Sequence, residues 1–250
     1  MESGKGRQTA RRRAAILRLL NERGAVRVAD LEALFGVSAP TVRRDLAWLA
    51  RQGLARRVRG GAVAVGEESP SLDPVAVRIG RAAARMIQDG ETVFLGPGRL
   101  TLALARALAD RSRLTVVTNG LEVAQAVARN TSHTLILTGG QLNREEGGLE
   151  GHLARAALEG LRADRVFLQL SGIDALGGLT DDSLAQAELA RLLLGLAAQR
   201  VVLVDPERVG RTAAAYVGPA SEADVLVTAR EVDSAPLWDL AEVGVKVMLA

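Results

Sequence analysis

The segment that most constrains the fold of this chain reads Ser-Ala-Pro-Thr-Val-Arg-Arg-Asp-Leu at residues 38–46. Ser38 is a favourable N-cap, since its hydroxyl can accept a hydrogen bond at the start of a helix, and proline is tolerated in the first turn. Val42, Leu46 and Leu49 recur at spacings of four and three, which places them on one helical face. The pattern therefore predicts a short capped helix that buries one side.

The other side of that helix carries groups that suit a DNA major groove. Thr41, Arg43 and Arg44 lie off the apolar face, and their hydroxyl and guanidinium groups can contact base edges and phosphates. A second apolar stripe, Val28–Phe35, precedes the helix and is separated from it by a Gly-Val turn. This order predicts a helix-turn-helix over about residues 25–44.

The flanking segments extend this prediction to a winged domain. An apolar stripe predicts a helix over Arg11–Arg23, and two β-prone pieces around Gly60 predict a hairpin over Leu54–Val65. Arg57 and Arg59 in this hairpin would bring positive charge to a phosphate backbone. The alternative is a small helical domain with a solvated arginine face, but such a face does not require a turn, cap, helix and basic wing in this order.

Charge is distributed unevenly along the 250 residues. Residues 1–65 hold fourteen Lys and Arg against five Asp and Glu, whereas residues 66–250 hold eighteen against twenty-four. The polyanion-binding surface is therefore predicted in the first quarter of the chain. RNA is a less favoured partner, because the six aromatic residues form no visible stacking platform.

Several classes of protein are excluded or disfavoured by composition. The chain has no cysteine, which excludes disulfides and thiol chemistry. No apolar run reaches the length of a membrane span, and the basic N-terminus lacks an apolar signal core. We therefore expect a cytoplasmic protein without a membrane partner.

Beyond residue 65 the pattern changes to that of an α/β domain. Residues 66–74 are polar and acidic and are predicted to be a linker between a DNA-binding domain, 1–65, and a second domain, 75–250. Strands alternating with helices predict a Rossmann-like, mostly parallel sheet covered on both faces. The predicted strands are Thr92–Leu95, Leu114–Thr118, Thr134–Thr138, Val166–Leu170, Val201–Val204, Val225–Val227 and Val245–Leu249. The predicted helices are Val75–Gln88, Leu100–Ala109, Leu121–Arg129, Leu153–Leu161 and Ser183–Ala198.

Polar or glycine-containing loops follow five of the predicted strands. Ligands of open α/β sheets bind outside the carboxyl ends of the strands, where glycines let backbone N–H groups approach an anion. We therefore predict a small-molecule pocket at these loops, which contain Gly98, Asn119, Gly139, Gly140, Asp174 and Asp205.

Taken together, these motifs resemble the DeoR family of bacterial transcriptional regulators over almost the whole chain. The family signature falls on Arg12, Ile16, Leu20, Ser38 and Thr41-Val42-Arg43-Arg44-Asp45-Leu46, and the wing ends with Arg59-Gly60-Gly61-Ala62. The resemblance implies a winged helix-turn-helix followed by a sensor domain with a ribose-5-phosphate-isomerase-like fold, which in the family commonly binds phosphorylated sugars.

Three positions depart from the sensor-domain pattern of the family. Its Gly-Thr-Thr phosphate loop reads Gly98-Arg99-Leu100 here, the lysine of a Glu-aliphatic-Lys-Arg run is Ala190, and a second lysine is Arg208. Arg99 and Arg208 could compensate in part, since guanidinium binds phosphate bidentately. The predicted effector-binding residues are Gly98, Arg99, Thr101, Asn119, Gly139, Gly140, Asp174, Asp205 and Arg208.

An enzyme is the main alternative class, because the sensor fold is shared with isomerases. Acid–base chemistry would have to use Asp174, Asp181, Asp182, Glu188 or Asp205, none of which the sequence pairs with a base or a metal ligand. His133 and His152 lack metal-ligand spacing. We therefore predict no catalytic residue, no metal and no cofactor. A regulator whose second domain only oligomerises remains a further alternative.

The predicted function is sequence-specific binding to a double-stranded DNA operator, most simply as a repressor of a metabolic operon. A small anionic metabolite such as a sugar phosphate is expected to relieve repression, and the chain is expected to form a homo-oligomer. The predicted DNA-binding residues are Ser38, Thr41, Arg43, Arg44, Arg57 and Arg59.

Overall fold

A computed structural model describes Thr9 and residues 12–20, 25–51, 54–58, 60–64 and 73–250. Residue contacts divide the chain into two units, Met1–Ser71, named here the winged unit, and Leu72–Ala250, named the sensor unit. The predicted linker, 66–74, lies outside the described residues up to residue 72. Its predicted end is wrong, because Asp73 caps a helix that begins at Pro74.

Three helices pack together in the winged unit. Residues 12–20 form α1, Val28–Phe35 form α2 and Ala39–Arg51 form α3. Gly36 adopts a left-handed conformation with φ of 62° and donates its N–H to Glu32 O at 2.9 Å, which ends α2 and turns the chain into α3. The helix-turn-helix prediction is thus confirmed. The buried core consists of Ile16, Leu20, Val26, Leu31, Val42, Leu46, Leu49, Ala55 and Ala62.

The predicted wing is present as a hairpin. Strands β2, Ala55–Val58, and β3, Gly61–Ala64, pair antiparallel with Val58 opposite Gly61. An additional strand, β1 at Ala25–Arg27, pairs with the other side of β3 and was not predicted as a strand. Because Val26 of β1 is buried, this third strand ties the wing to the helical core.

The sensor unit is built on a seven-stranded parallel sheet. The strands of the sensor unit, in chain order, lie at Thr92–Leu95 (β4), Thr115–Thr118 (β5), Thr134–Leu137 (β6), Gln141–Asn143 (β7), Gly148–Glu150 (β8), Ala163–Gln169 (β9), Gly172–Asp174 (β10), Gly178–Asp181 (β11), Ala197–Leu203 (β12), Ala215–Gly218 (β13), Val225–Thr228 (β14) and Lys246–Leu249 (β15). Seven of these strands form the parallel sheet, in the order β15-β14-β12-β9-β4-β5-β6. The helices lie at Pro74–Ala84 (α4), Arg99–Arg106 (α5), Leu121–Asn130 (α6), His152–Leu158 (α7), Leu184–Leu194 (α8) and Ser234–Glu242 (α9).

Both faces of this sheet are covered, as the sequence predicts. Val93 and Leu95 of β4 pack in a core with α4 and α5, whereas Phe94 between them packs in a second core with α8. Alternate residues of one strand therefore serve two separate hydrophobic layers, which explains why the central strands read as continuous apolar runs.

Several predicted boundaries are wrong. The helix predicted over Ser183–Ala198 ends at Leu194, because β12 begins at Ala197 and pairs there with Ala163 of β9. The helix predicted over Val75–Gln88 ends at Ala84. Short antiparallel pieces, β7 with β8 and β10 with β11 and β13, and helix α9 were not predicted.

The order of the strands creates a switch point between β4 and β9. From β4 the chain continues outward through β5 and β6, and it then returns to β9 and proceeds in the opposite direction through β12, β14 and β15. Crevices at such a point, outside the carboxyl ends of the strands, are the usual ligand sites of open α/β sheets. None of the helices in the described part of the chain is long and apolar enough to span a membrane.

Candidate DNA-binding face and effector pocket

Helix α3 presents a polar face with two arginines. Arg43 and Arg44 are exposed, whereas Val42 on the apolar side of the helix is buried. Ser38 immediately precedes α3, and its carbonyl accepts from the N–H of Thr41 at 2.9 Å and of Val42 at 3.1 Å. Its hydroxyl lies 3.2 Å from Thr41 Oγ1. The start of α3 therefore displays two hydroxyls and two guanidinium groups.

Asp45 fixes this helix to α1 from the buried side. Its side chain is 2% exposed, and its two carboxylate oxygens accept from Arg12 Nε at 2.6 Å and Arg13 Nε at 2.8 Å. The Arg13 guanidinium also lies over the Trp48 ring, 4.4 Å from its centroid. A buried carboxylate requires such partners, so these contacts hold α3 in one orientation against α1. Arg12 and Asp45 belong to the sequence signature, but their pairing is a structural finding.

The wing contributes an exposed Arg57 on β2. Arg59, the other wing residue predicted to contact phosphate, lies outside the described residues. The hairpin turn is held to α2 by a hydrogen bond from Val28 N to Gly60 O of 2.9 Å. The wing is therefore held in place both by its pairing with β1 and by this hydrogen bond at its turn.

A cavity of about 230 Å³ opens at the switch point of the sensor unit, and it is named here the switch-point cavity. It lies between the loop that follows β4 and the end of β9. Three of the nine predicted effector-binding residues line it, namely Gly98, Asp205 and Arg208. Its complete lining is Gly96, Pro97, Gly98, Glu146, Leu168, Gln169, Leu170, Ser171, Asp181, Asp182, Gln186, Ala190, Leu193, Asp205 and Arg208.

Arg99 does not line this cavity, although one of its ion-pair partners, Asp205, does. Its two terminal guanidinium nitrogens form ion pairs with Asp73, the N-cap of α4, and with Asp205 at the cavity wall. Burial raises the pKa of the Asp205 carboxyl, while the charge and hydrogen bond of Arg99 act in the opposite direction. Arg99 thus compensates an acid that would otherwise be unfavourably buried.

Two polar groups in the first turn of α5 have partners within the sensor unit. Leu100 N donates to Gln169 Oε1 at 2.8 Å, and the Thr101 hydroxyl donates to Gly98 O at 2.9 Å. Leu100 and Thr101 are fully buried, so neither side chain reaches the cavity surface.

Carboxylates dominate the remaining polar lining. Asp181 is 6% exposed, and burial raises its pKa even though it accepts the N–H of Ser183 at 2.9 Å. Partial burial, together with the negative charges of Asp181 and Asp182, raises the pKa of Glu146. Arg208 lies 3.5 Å from Asp182, and both side chains are about half exposed. Four acids therefore face this cavity against a single lining cation.

The other predicted effector-binding residues do not line the switch-point cavity. Asn119 is fully buried and its Nδ2 donates to a carbonyl of β8 at 3.1 Å, so it holds a loop in place. Asp174 accepts the N–H of Gly177 at 2.7 Å and closes the turn between β10 and β11. Gly139 is exposed, and Gly140 packs against the backbone of β8.

Sequence reasoning missed the polar residues that contribute most to this cavity. Gln169 and Gln186 were not singled out, and Asp181 and Asp182 were considered only as unpaired acids. The position of Gln169 at the end of β9 was a usable signal, since a polar residue there must face either the loop of a neighbouring strand or the cavity. No group of three or more His, Asp or Glu side chains in the described ranges is placed to hold a metal ion.

Two family models match this chain. One is described as a DeoR-like helix-turn-helix domain and covers residues 12–68, and the other is described as the DeoR C terminal sensor domain and covers residues 77–230. The chain belongs to the DeoR family of transcriptional regulators. This confirms the resemblance, and it places the chain among regulators and not among the enzymes that share the sensor fold.

Curated relatives cover nearly the whole length of this DeoR-family chain. The HTH-type transcriptional regulator GolR of Listeria innocua is 31% identical over 96% of this chain and 98% of its own. The Glycerol-3-phosphate regulon repressor of Escherichia coli is 33% identical over 87% of this chain and 89% of its own.

Solved structures with partial similarity include two proteins of different function. Ribose 5-phosphate isomerase A of Methanocaldococcus jannaschii has a TM-score of 0.41 and 14% identity, and 55% of each chain is covered. The sorbitol operon regulator SorC of Klebsiella pneumoniae has a TM-score of 0.36 and 13% identity, with 79% of this chain and 89% of SorC covered.

Proposed function

We propose that this DeoR-family regulator represses a metabolic operon by binding its double-stranded operator, and that a small metabolite in the sensor unit relieves repression. The observation that carries the DNA-binding part is the exposed Arg43–Arg44 pair on a helix whose other side is fixed through Asp45. A rigid helix with guanidinium groups on its free face suits a major groove.

The six predicted DNA-binding residues have distinct roles in this proposal. Arg43 and Arg44 read base edges or adjacent phosphates, and Ser38 and Thr41 contact phosphate at the start of α3. Arg57, together with Arg59, adds contacts between the wing and the phosphate backbone. The name of the glycerol-3-phosphate relative supports repression as the mode of regulation and a metabolic operon as the target.

The proposal includes assembly of the full chain into a homo-oligomer. One winged unit offers a small DNA interface, and specific operators usually contain paired half-sites. Ile136 and Leu137 are 40% and 42% exposed on the edge strand β6, which supports the sensor unit as the source of the contact. Light scattering of the full chain at micromolar concentration should give a dimer or a larger species, and a strict monomer would contradict this part.

The switch-point cavity is the proposed effector site. The sequence favours an anionic effector such as a sugar phosphate. The charges of the cavity itself oppose an anion, because four carboxyl side chains line it against a single arginine, Arg208, which faces Asp182 at 3.5 Å. The family relationship and the local electrostatics therefore point to different effector chemistries.

Selection of duplexes from a random-sequence pool tests the proposed function. The full-length protein should enrich a defined sequence and retain it in a gel-shift titration at least about a thousandfold more tightly than a shuffled duplex. Equal retention of both duplexes would refute sequence-specific regulation.

A sensor unit that only oligomerises is the competing possibility, and a thermal-shift screen distinguishes the two. An effector present at a hundred times its dissociation constant should stabilise the protein by about 2.7 kcal/mol.

A further inference from the structure

We infer that the switch-point cavity binds a hydroxyl-rich ligand without negative charge, such as a free sugar, sugar alcohol or amino sugar, and not a phosphate ester. The inference rests on the proposed function, because it assumes that this cavity is the effector site. It follows from the way this chain uses the groups that could otherwise bind phosphate.

The first step concerns the cations. Arg99 makes ion pairs with Asp73 and Asp205, and Arg208 faces Asp182 at 3.5 Å. A phosphate group that contacted Arg208 would compete with Asp182, and one that contacted Arg99 would compete with Asp73 and Asp205. Displacing Arg99 would also leave Asp205 partly buried without its counter-ion, which is costly.

The second step concerns two hydrogen-bond donors at the start of α5, one from the backbone and one from a side chain, because a helix N-terminus could hold an anion there. Leu100 N donates to Gln169 Oε1 at 2.8 Å. The side-chain oxygen of Gln169, in β9, therefore takes the place that an oxygen of a bound anion would need. The Thr101 hydroxyl donates to Gly98 O and is turned away from the cavity. This loop therefore offers neither of these two donors to a phosphate.

The third step concerns the groups that are available to a ligand. Glu146, Asp181 and Asp182 accept hydrogen bonds, and they repel an anion. The buried Nε2 of Gln186 has no hydrogen-bond acceptor among the described residues, although Gln186 lines the cavity. Hydroxyl groups both donate and accept, so they can satisfy the carboxylates and this amide together. A protonated amine would add a favourable charge interaction.

Matched pairs of compounds test this chemistry in the full-length protein. D-glucitol, D-galactitol, D-glucosamine and D-galactosamine are each compared with their 6-phosphate esters by calorimetric titration at constant ionic strength, and inorganic phosphate is titrated alone. We expect binding within the unphosphorylated group, with the esters at least about tenfold weaker than their partners. Comparison of the two neutral polyols with the two amino sugars distinguishes a ligand held by hydrogen bonds from one held by charge.

Two charge-release variants test the argument without knowledge of the natural ligand. Asp182→Asn frees Arg208, and Asp205→Asn removes a lining carboxylate and leaves Arg99 paired with Asp73 alone. Each variant should therefore bind inorganic phosphate at least about tenfold more tightly than the wild type does. Asp239→Asn, on the exposed side of α9, is the control and should not change phosphate binding. Asp182 is exposed, so its variant is expected to fold even if replacement of Asp205 disturbs the cavity wall.

Three results would overturn the inference. One is that a phosphate ester binds more tightly than the corresponding unphosphorylated compound, and that this difference in affinity is lost in Arg208→Gln but kept in the exposed control Arg230→Gln. Another is failure of every compound to bind the wild type, and a third is an unchanged phosphate affinity in a folded Asp182→Asn variant. None of these results changes the outcome of duplex selection, so a failure here is distinguishable from a failure of the proposed repressor function.

Discussion

Replacing Asp45 by alanine should destabilise the winged unit by about 3 kcal/mol. The change removes two charge-assisted hydrogen bonds, each contributing about 1.5 kcal/mol or more, and leaves two guanidinium groups facing a gap. Breaking a fully buried ion pair costs about 3–5 kcal/mol. The Arg12 and Arg13 side chains are 13% and 25% exposed, so water can partly replace the carboxylate and the lower end of that range applies.

The two tryptophans allow this effect to be measured in the intact chain. Trp48 lies in the winged unit and packs against Arg13, whereas Trp238 lies in the sensor unit and is 72% exposed. In a Trp238→Phe background, urea unfolding followed by fluorescence reports on Trp48 alone. Asp45→Ala should lower the unfolding midpoint by a large fraction, since small domains have total stabilities on the order of 5 kcal/mol.

A matched control separates loss of the buried pair from loss of any acidic residue. Asp30 is exposed in the first turn of α2, so Asp30→Ala should cost at most about 1 kcal/mol. If Asp45→Ala were no more destabilising than Asp30→Ala, the pairing with α1 would not hold the recognition helix, and the reasoning would be refuted.

Three further perturbations follow from the structure. Burial raises the pKa of Asp181. The contribution of this carboxyl to the free energy of unfolding is therefore most favourable below the unfolded value of 3.8, and it is lost as pH rises through the higher native pKa. Asp181→Asn should therefore flatten the fall in Tm as pH rises above about 4, and an unchanged slope would count against the burial argument. A Cβ on Gly80 would lie 2.5 Å from Ala103 C in α5, so Gly80→Ala should cost about 1–3 kcal/mol in urea unfolding; equal stability would mean that α4 and α5 can separate freely. Arg57→Ala should weaken binding to every duplex and reduce the salt slope by about one unit, whereas a change confined to one base position would contradict a phosphate contact.

The winged unit was predictable from the sequence because its elements are local. The recognition helix, the glycine turn and the hairpin each depend on neighbouring residues, and Val28–Phe35 and the start of α3 match their predictions. The predicted hydroxyl cap differs, because the Ser38 hydroxyl contacts Thr41 Oγ1 and the Ser38 carbonyl accepts the N–H groups at the start of α3. Strand β1 was not predictable in this way, because only three residues pair and their partner β3 lies some 36 positions away in the chain. The pairing of Asp45 with Arg12 and Arg13 is equally non-local.

The sensor unit shows the same division between local pattern and distant contact. The apolar runs locate the central strands, since buried parallel strands need continuous apolar side chains. The position of the pocket at the carboxyl ends of the strands also follows from the pattern, but its charge does not. Arg99 was predicted as an anion ligand, and only the tertiary structure brings Asp73 and Asp205 to it from distant positions. Thr101 and Asn119 sit in the predicted loops, yet burial directs their side chains to the backbone.

The most direct test of DNA recognition by α3 is a gel-shift titration with a duplex selected by the wild-type protein. The Arg43→Ala/Arg44→Ala variant is compared with Arg144→Ala/Arg230→Ala, which removes the same charge from exposed positions of the sensor unit. Loss of each base-reading arginine costs about 1–3 kcal/mol, so the first variant should bind at least about tenfold more weakly while the control stays within about twofold of the wild type. Full affinity in the folded Arg43→Ala/Arg44→Ala variant would contradict the assignment of α3 as the recognition helix.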